Sequence, residues 1–324
     1  MTSAPDVRLD EHGEVTPLEA GGPNAIAVSN GVLADEWSLW IIRHALWGAT
    51  RYTDWMNLGP IPGSALTTRL ASLVAADILR KQPYSERPVR HEYVLTARGR
   101  QVWPILIAIW AWERGWVHEV DLPRMRHTTC GEFFDPVLTC GGCRHPIQWR
   151  EVDAKIGPSG DWNRNLPTTA RRQRSRNDPR PSEVIDETME LIGNRWSSAI
   201  LGASFLGATR FSDFQKRLSA SPTIIADRLR VFAELGVLAQ TPTAERADWM
   251  EYRLTAKGQA FLPVVLLMIE WGHRWYEAPD GPALLLHHIP CTATLHSILH
   301  CSACNEPLNG HAIEAVPSDG TSSV

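Results

Sequence analysis

The sequence predicts a mainly α-helical protein with small β-wings, in which one domain-sized unit occurs twice and each copy carries a small Cys3His tail. Three observations predict it. The chain repeats itself in register at a constant spacing of 159 residues. Each repeat reads as short helices, a two-stranded ribbon and a long apolar helix. Behind each repeat the same His/Cys spacing returns.

The repeat is a ladder without a shift. Trp37-Ser38 returns as Trp196-Ser197, Gly48-Ala49-Thr50-Arg51 as Gly207-Ala208-Thr209-Arg210, and Arg69-Leu70 as Arg228-Leu229. Tyr93, Leu95-Thr96-Ala97 and Gly99 return as Tyr252, Leu254-Thr255-Ala256 and Gly258, and Pro104, Trp112 and Trp116 as Pro263, Trp271 and Trp275. A period this long describes a duplicated domain rather than a solenoid repeat.

Within the unit, Val184, Ile185, Met189, Leu191 and Ile192 fall at helical spacing over 183–192. A second helix runs from Trp196 to a glycine stop at Gly207, and from Trp37 to Gly48 in copy one. A short third helix holds Asp54 or Asp213, both read as turn or cap residues. The fourth helix opens at Ser221-Pro222, an N-cap followed by a first-turn proline, with Ile225, Leu229, Phe232 and Leu235 on one face. Two strands follow, 78–83 with 92–95 and 237–241 with 251–254, joined by polar loops. A threonine cap then opens a long helix over 96–116 and 255–275. Two helices at a turn, followed by a ribbon, make a helix-turn-helix with a wing. The fold class is therefore two tandem winged helix-turn-helix domains, each followed by a small zinc-ribbon-like tail.

The motifs Gly-Ala-Thr-Arg-Phe-Ser-Asp-Phe, Asp-Arg-Leu, Glu-Tyr-x-Leu-Thr-x-x-Gly and Trp-Gly-x-x-Trp, in this order after a Trp-Ser start, resemble the HxlR-type winged helix-turn-helix regulators. The resemblance covers 24–118 and 183–276, and copy two carries it more closely. It implies a homodimer joined through first and last helices on a two-fold DNA site. Here the fusion would make that pair inside one chain, a monomeric pseudo-dimer or a higher oligomer.

Base readout uses bidentate side chains from the first turns of the recognition helix. The candidates here are thin: Ser64, Thr67, Thr68 and Arg69 in copy one, and Thr223, Asp227 and Arg228 in copy two. The wings add Arg87, Arg90 and Arg246. Between Arg164 and Arg180 six arginines face one acid, so Arg171, Arg172 and Arg174 read either as a phosphate-tracking arm or as a soluble tether.

The six cysteines form two trios with a histidine ahead of each: His127, Cys130, Cys140, Cys143 and His288, Cys291, Cys301, Cys304. Two knuckles and a spacer supply four ligands to a closed, structural zinc, and one site per copy makes about two zinc ions per chain. His145, His287 and His300 are alternative fourth ligands. Free buried thiols or a redox switch are the other readings.

Eight of the fourteen tryptophans fall between Trp37 and Trp116. Trp40, Trp47, Trp103 and Trp110 replace Ala199, Leu206, Leu262 and Ile269 of copy two, and each pair is spaced seven apart on one helix face. They read as an indole-walled pocket for an aromatic effector or as large side chains filling one core.

These features divide the chain into a flexible N-terminus 1–23, a winged domain 24–120, a zinc-binding tail 121–150, a basic flexible linker 151–181, a winged domain 182–278, a second tail 279–312 and a disordered C-terminus 313–324. A net charge of −4 excludes a global basic field, no segment reaches a membrane-spanning length, and no export signal opens the chain. No nucleophile triad, phosphate loop or dinucleotide fingerprint is present, so an enzyme is not expected. The reading is a cytoplasmic regulator of double-stranded DNA with a pseudo-palindromic operator. The alternative is a small-molecule-binding or sequestering protein that kept the winged fold and lost specific DNA contact.

Overall fold

The computed structural model describes residues 13–117, 122–166, 186–243 and 249–317. After a short strand β1 (Thr16–Pro17), the first unit runs α1 (Ala25–Leu33), α2 (Glu36–Leu46), α3 (Tyr52–Leu58), α4 (Gly63–Ala75), β2 (Leu79–Glu86), β3 (Val89–Leu95), α5 (Ala97–Arg100) and α6 (Trp103–Trp116). Its tail holds β4 (Arg124–His127), β5 (Pro136–Cys140) and β6 (Val152–Ile156). The second unit follows the same order: α7 (Asp186–Ile192), α8 (Arg195–Phe205), α9 (Phe211–Arg217), α10 (Pro222–Glu234), β7 (Leu238–Pro242), β8 (Met250–Leu254), α11 (Ala256–Gln259) and α12 (Leu262–Trp275). Strands β9 (Tyr276–Glu277), β10 (Leu284–His288), β11 (Ser297–Cys301) and β12 (Ile313–Val316) complete it.

Local chemistry accounts for the element ends. The Asp35 carboxylate accepts the Ser38 N–H at 2.9 Å to open α2, and the Ser221 hydroxyl accepts the Ile224 N–H to open α10. Gly48 and Gly207 end the second helices with φ of +100° and +83°, a region closed to most side chains. Asp54 and Asp213 are cap residues as expected, each accepting two backbone N–H groups at the start of the third helix.

The long helix of each copy differs from the sequence reading: it is a four-residue turn, a break, and then a fourteen-residue helix. Pro104 and Pro263 explain the break, because a proline inside a continuous helix lacks the N–H for the preceding turn and clashes with its carbonyl. The copy-one wing is longer than expected, with strands reaching Glu86 and Val89 around a two-residue connection.

Each unit has its own buried centre, Trp37, Trp55 and Leu70 in one, Phe214, Leu229 and Phe232 in the other. Such side chains contribute about 1.5–3 kcal/mol each when fully buried. The two centres merge because α12 lies against α1 and α6, and α6 against α7. Equivalent residues meet reciprocally across this contact. The Trp112 indole donates to the Lys257 carbonyl at 3.0 Å, and the Trp271 indole donates to the Arg98 carbonyl at 3.2 Å. Gly272 lets α12 approach α1, since a Cβ there would stand 2.8 Å from the Ala25 carbonyl oxygen.

The tails depart most from expectation. They are not two separate ribbons, one behind each copy. Every main tail ladder is made between copies: β4 pairs with β12, β5 with β11 and β6 with β10, all antiparallel. Leu138 pairs with Leu299, its own counterpart, so the β5–β11 ribbon crosses the local two-fold relation of the tails.

Three expected boundaries shift in consequence. The segment 151–181, read as a flexible linker, contains β6 and is described to residue 166. The segment 313–324, read as disordered, contains β12. The segment 1–23, read as flexible, contains β1, which pairs with β9 of copy two. Each misreading has one cause: a strand of two to five mixed residues has no periodicity of its own and is recruited by a partner far along the chain. Arg171, Arg172 and Arg174 lie outside the described residues.

Candidate functional site

The fourth helix of each copy, expected from the sequence to read DNA, has polar residues of its first turns exposed. Ser64, Thr67 and Thr68 are exposed on α4, where the Thr67 and Thr68 hydroxyls donate to the Gly63 and Ser64 carbonyls at 2.9 Å. Arg69 turns inward instead: it grips Asp35 through two bonds of 2.8 and 3.0 Å and ties α4 to the start of α2. In copy two Thr223 is exposed, while Arg228 bonds Asp227 at 2.6 Å and Glu190 of α7 at 3.3 Å. Arg228 and Arg230 hold the Asp227 carboxyl below its usual range. Arg87 and Arg90 are exposed at the tip of the copy-one wing, and Arg246 lies outside the described residues. Sequence reasoning passed over Arg230, exposed one turn beyond Asp227, although its position on the same helix face was legible.

The eight expected metal ligands come together in two clusters, but not by copy. His127 and Cys130 meet Cys301 and Cys304, while Cys140 and Cys143 meet His288 and Cys291. The expectation of one complete site within each copy is corrected by strand geometry. β5 carries Cys140 about 14 Å from its start at the ~3.4 Å rise of an extended residue. Antiparallel β11 brings Cys301 back to the end that Cys140 has left.

In the first cluster His127 Nδ1 lies 3.5 Å from Cys130 Sγ and 3.4 Å from Cys304 Sγ, and Cys130 Sγ lies 4.0 Å from Cys301 Sγ. In the second His288 Nδ1 lies 3.3 Å from both Cys143 Sγ and Cys291 Sγ, with Cys140 Sγ 3.8 Å from Cys291 Sγ. A tetrahedron with Zn–S bonds of about 2.3 Å and a Zn–N bond of about 2.0 Å has S···S edges of about 3.8 Å and S···N edges of about 3.5 Å. The clusters have those dimensions. The same sulfur separations are far from the ~2.05 Å of a disulfide. Burial opposes ionisation of Cys140, but the Cys143 and Gly142 N–H groups and the Cys291 and Cys143 thiols outweigh it and hold its pKa down. Of the alternative ligands, His300 is engaged by Thr139 at 2.8 Å and His145 is exposed outside the second cluster.

The four tryptophans Trp40, Trp47, Trp103 and Trp110 all line one cavity of about 590 Å³. Trp40 and Trp110 are buried, whereas Trp47 is 54% exposed at the rim. The Trp110 indole donates to the Pro123 carbonyl at 2.8 Å, which fixes its plane against the tail. The cavity does not belong to copy one alone. Its outer wall is the β4–β12 ladder together with Leu308 and Gly310, so the copy-two tail closes it. A Cβ on Gly310 would stand 2.9 Å from the Trp103 ring. Arg43, Arg100 and Gly310 line the cavity and were missed from sequence. The copy-to-copy differences at those positions were the available signal.

Two exposed fourth helices, each followed by a β-hairpin, define a winged helix-turn-helix protein. The HxlR-like helix-turn-helix family model matches residues 32–121 and again 191–280, and the chain belongs to that family. An uncharacterised HTH-type transcriptional regulator of Mycobacterium tuberculosis is 29% identical over 138 residues, covering 43% of this chain and 87% of that protein. One from Synechocystis is 34% identical over 91 residues, 27% of this chain and 66% of that protein. A solved Pseudomonas aeruginosa structure, described as a candidate transcription factor, is 29% identical, covers 44% of this chain and 97% of its own, and has a TM-score of 0.34. The family is one of DNA-binding transcriptional regulators and not of enzymes. Among the described residues no helix is long and apolar enough to cross a membrane.

Proposed function

We propose that this chain is a cytoplasmic transcriptional regulator that works as an intrachain pseudo-dimer, with two structural zinc ions and a small aromatic effector. The reciprocal bonds from Trp112 to Lys257 and from Trp271 to Arg98 carry the pseudo-dimer reading, because they are the signature of an isologous contact made inside one chain. The two recognition helices would then enter successive major grooves about one helical turn apart. His127, Cys130, Cys301 and Cys304 would hold one zinc and Cys140, Cys143, His288 and Cys291 the other, each joining both tails. An effector in the Trp-lined cavity would touch α2 and α6 of copy one and the copy-two tail together, and would bias DNA release by binding two arrangements unequally.

A gel-shift with the DNA upstream of its own gene tests the reading. Binding should need two half-sites, and Arg87→Ala with Arg90→Ala should lower the salt slope by up to about two contacts' worth. Neutralising Arg171, Arg172 and Arg174 should lower it further if the segment tracks phosphates, and should leave it unchanged if it is a tether. A second reading, ligand sequestration without specific DNA binding, is favoured by the internal engagement of Arg69 and Arg228. Equal affinity for operator and random duplex at every salt concentration would select it.

A further inference from the structure

The cavity's polar groups name the charge of its ligand. Where copy two has Gly202 and Gln259, copy one has Arg43 and Arg100, and both arginines line the cavity. Each is close in sequence to an indole: Arg43 lies between Trp40 and Trp47 along α2, and Arg100, the last residue of α5, precedes Trp103, which opens α6 after the break. Glu36 is the single carboxylate of the lining, which leaves a net positive charge above an apolar, aromatic floor. The matching space in copy two, about 120 Å³, has no charged side chain in its lining. Tryptophans and arginines therefore line the same cavity in copy one, at positions where copy two has neither.

We propose that the cavity binds a planar aromatic acid as its anion, with the ring on the indoles and the acidic group at Arg43 and Arg100. The inference rests on the effector reading above and deepens it. Two features of the arginines suit an anion. The Arg43 guanidinium is held 5.1 Å from the Trp47 ring centroid, and Arg100 is anchored to the Leu95 carbonyl at 2.7 Å, so both charges are placed before ligand arrives. Burial, and the nearby Arg80 charge after it, disfavour the Arg100 cation in the unliganded chain. The opposite charge of an anion against it offsets both. The aromatic floor excludes water from one side of that contact, and a charge-assisted bond gains strength where solvent is excluded.

The experiment is calorimetric titration of the full chain with three probes of one shape and different charge: indoleacetate, indoleacetamide and tryptamine. A second acid and amide pair, naphthoate and naphthamide, covers a larger ring. The acids should bind at least about ten-fold tighter than their amides, and tryptamine weaker than either. Arg100→Gln, the residue type copy two uses, and Arg43→Gln should each weaken the acids by about ten-fold while leaving amide affinity in place, which also shows that the cavity is intact. Amides that match the acids, or tryptamine as the tightest ligand, overturn the charge assignment and leave the effector reading standing. Silence of all five probes overturns both.

Discussion

The two copies enclose matching spaces of very different size, about 590 Å³ in copy one and about 120 Å³ in copy two. The lining residues of α6 and α12 correspond one to one, and most of those of α2 and α8 do: Trp40 with Ala199, Trp47 with Leu206, Trp103 with Leu262, Trp110 with Ile269. By volume alone the copy with four tryptophans should have the smaller space. It has the larger one. The tail explains the inversion, because the position occupied by Gly310 at the first space is Trp149 at the second. Trp162 and α1, through Ile26 and Asn30, close the second space further. Large side chains on the helices build walls, whereas the residue on the facing strand decides whether the room between them is filled.

The largest expected effect concerns the clips that hold these walls. One cluster ends the β4–β12 wall of the large cavity, and the other ends the β6–β10 wall of the small one. Cys130→Ser with Cys301→Ser should remove one zinc equivalent and loosen the large cavity only. Cys130→Ser with Cys143→Ser should remove both equivalents. Metal analysis separates these outcomes from sites confined to one copy, which would reverse them. Structural zinc contributes on the order of 10–16 kcal/mol in small domains, so loss of both should unfold the tails.

Next in size, Trp149→Gly should enlarge the small space and destabilise the chain, by less than the ~3–5 kcal/mol of truncating a fully buried large aromatic because Trp149 is half-buried. The converse change, Gly310→Trp, should abolish ligand binding in the large cavity, because even a Cβ there crowds Trp103. Denaturant melts of the first variant and calorimetry of the second read the two results. Equal stability of Trp149→Gly and the parent chain would refute the filling argument.

A smaller effect tests the junction between the copies. Trp112→Phe and Trp271→Phe each remove one indole bond to the opposite copy, at about 0.5–1.5 kcal/mol apiece. Similar losses from both are expected of a reciprocal contact, and a loss from one alone breaks the equivalence.

The smallest effect is a pH dependence. Glu113 of α6 is buried and accepts bonds from the Thr188 N–H and hydroxyl of α7 at 3.0 and 2.5 Å. Burial, opposed by those bonds, raises its pKa. The folded chain therefore keeps a proton that the unfolded chain gives up near the ordinary value of about 4.3. The stability linked to that proton is whole below that value and is lost as pH rises through the raised one. Glu113→Gln should flatten the decline, matching the parent in acid and exceeding it at neutral pH. Chemical denaturation across pH checks the slope.

Much of this molecule is legible in local sequence. The in-register ladder from Trp37 and Trp196 announces the duplication, Ser221-Pro222 marks the start of α10, and Gly48 and Gly207 mark helix ends, because caps and periodicity act within a turn or two. The eight ligand side chains are also readable from their spacing, as is the common face of Trp40 with Trp47 and of Trp103 with Trp110. Only the tertiary structure decided which cysteine shares a cluster with which, that Gly310 faces Trp103, and that Arg69 is spent on Asp35. Spacing along one strand states which ligands a chain offers, but two identical spacings can be satisfied within a copy or across copies. The choice belongs to the pairing of β5 with β11, a contact between residues some 160 positions apart that has no local signal.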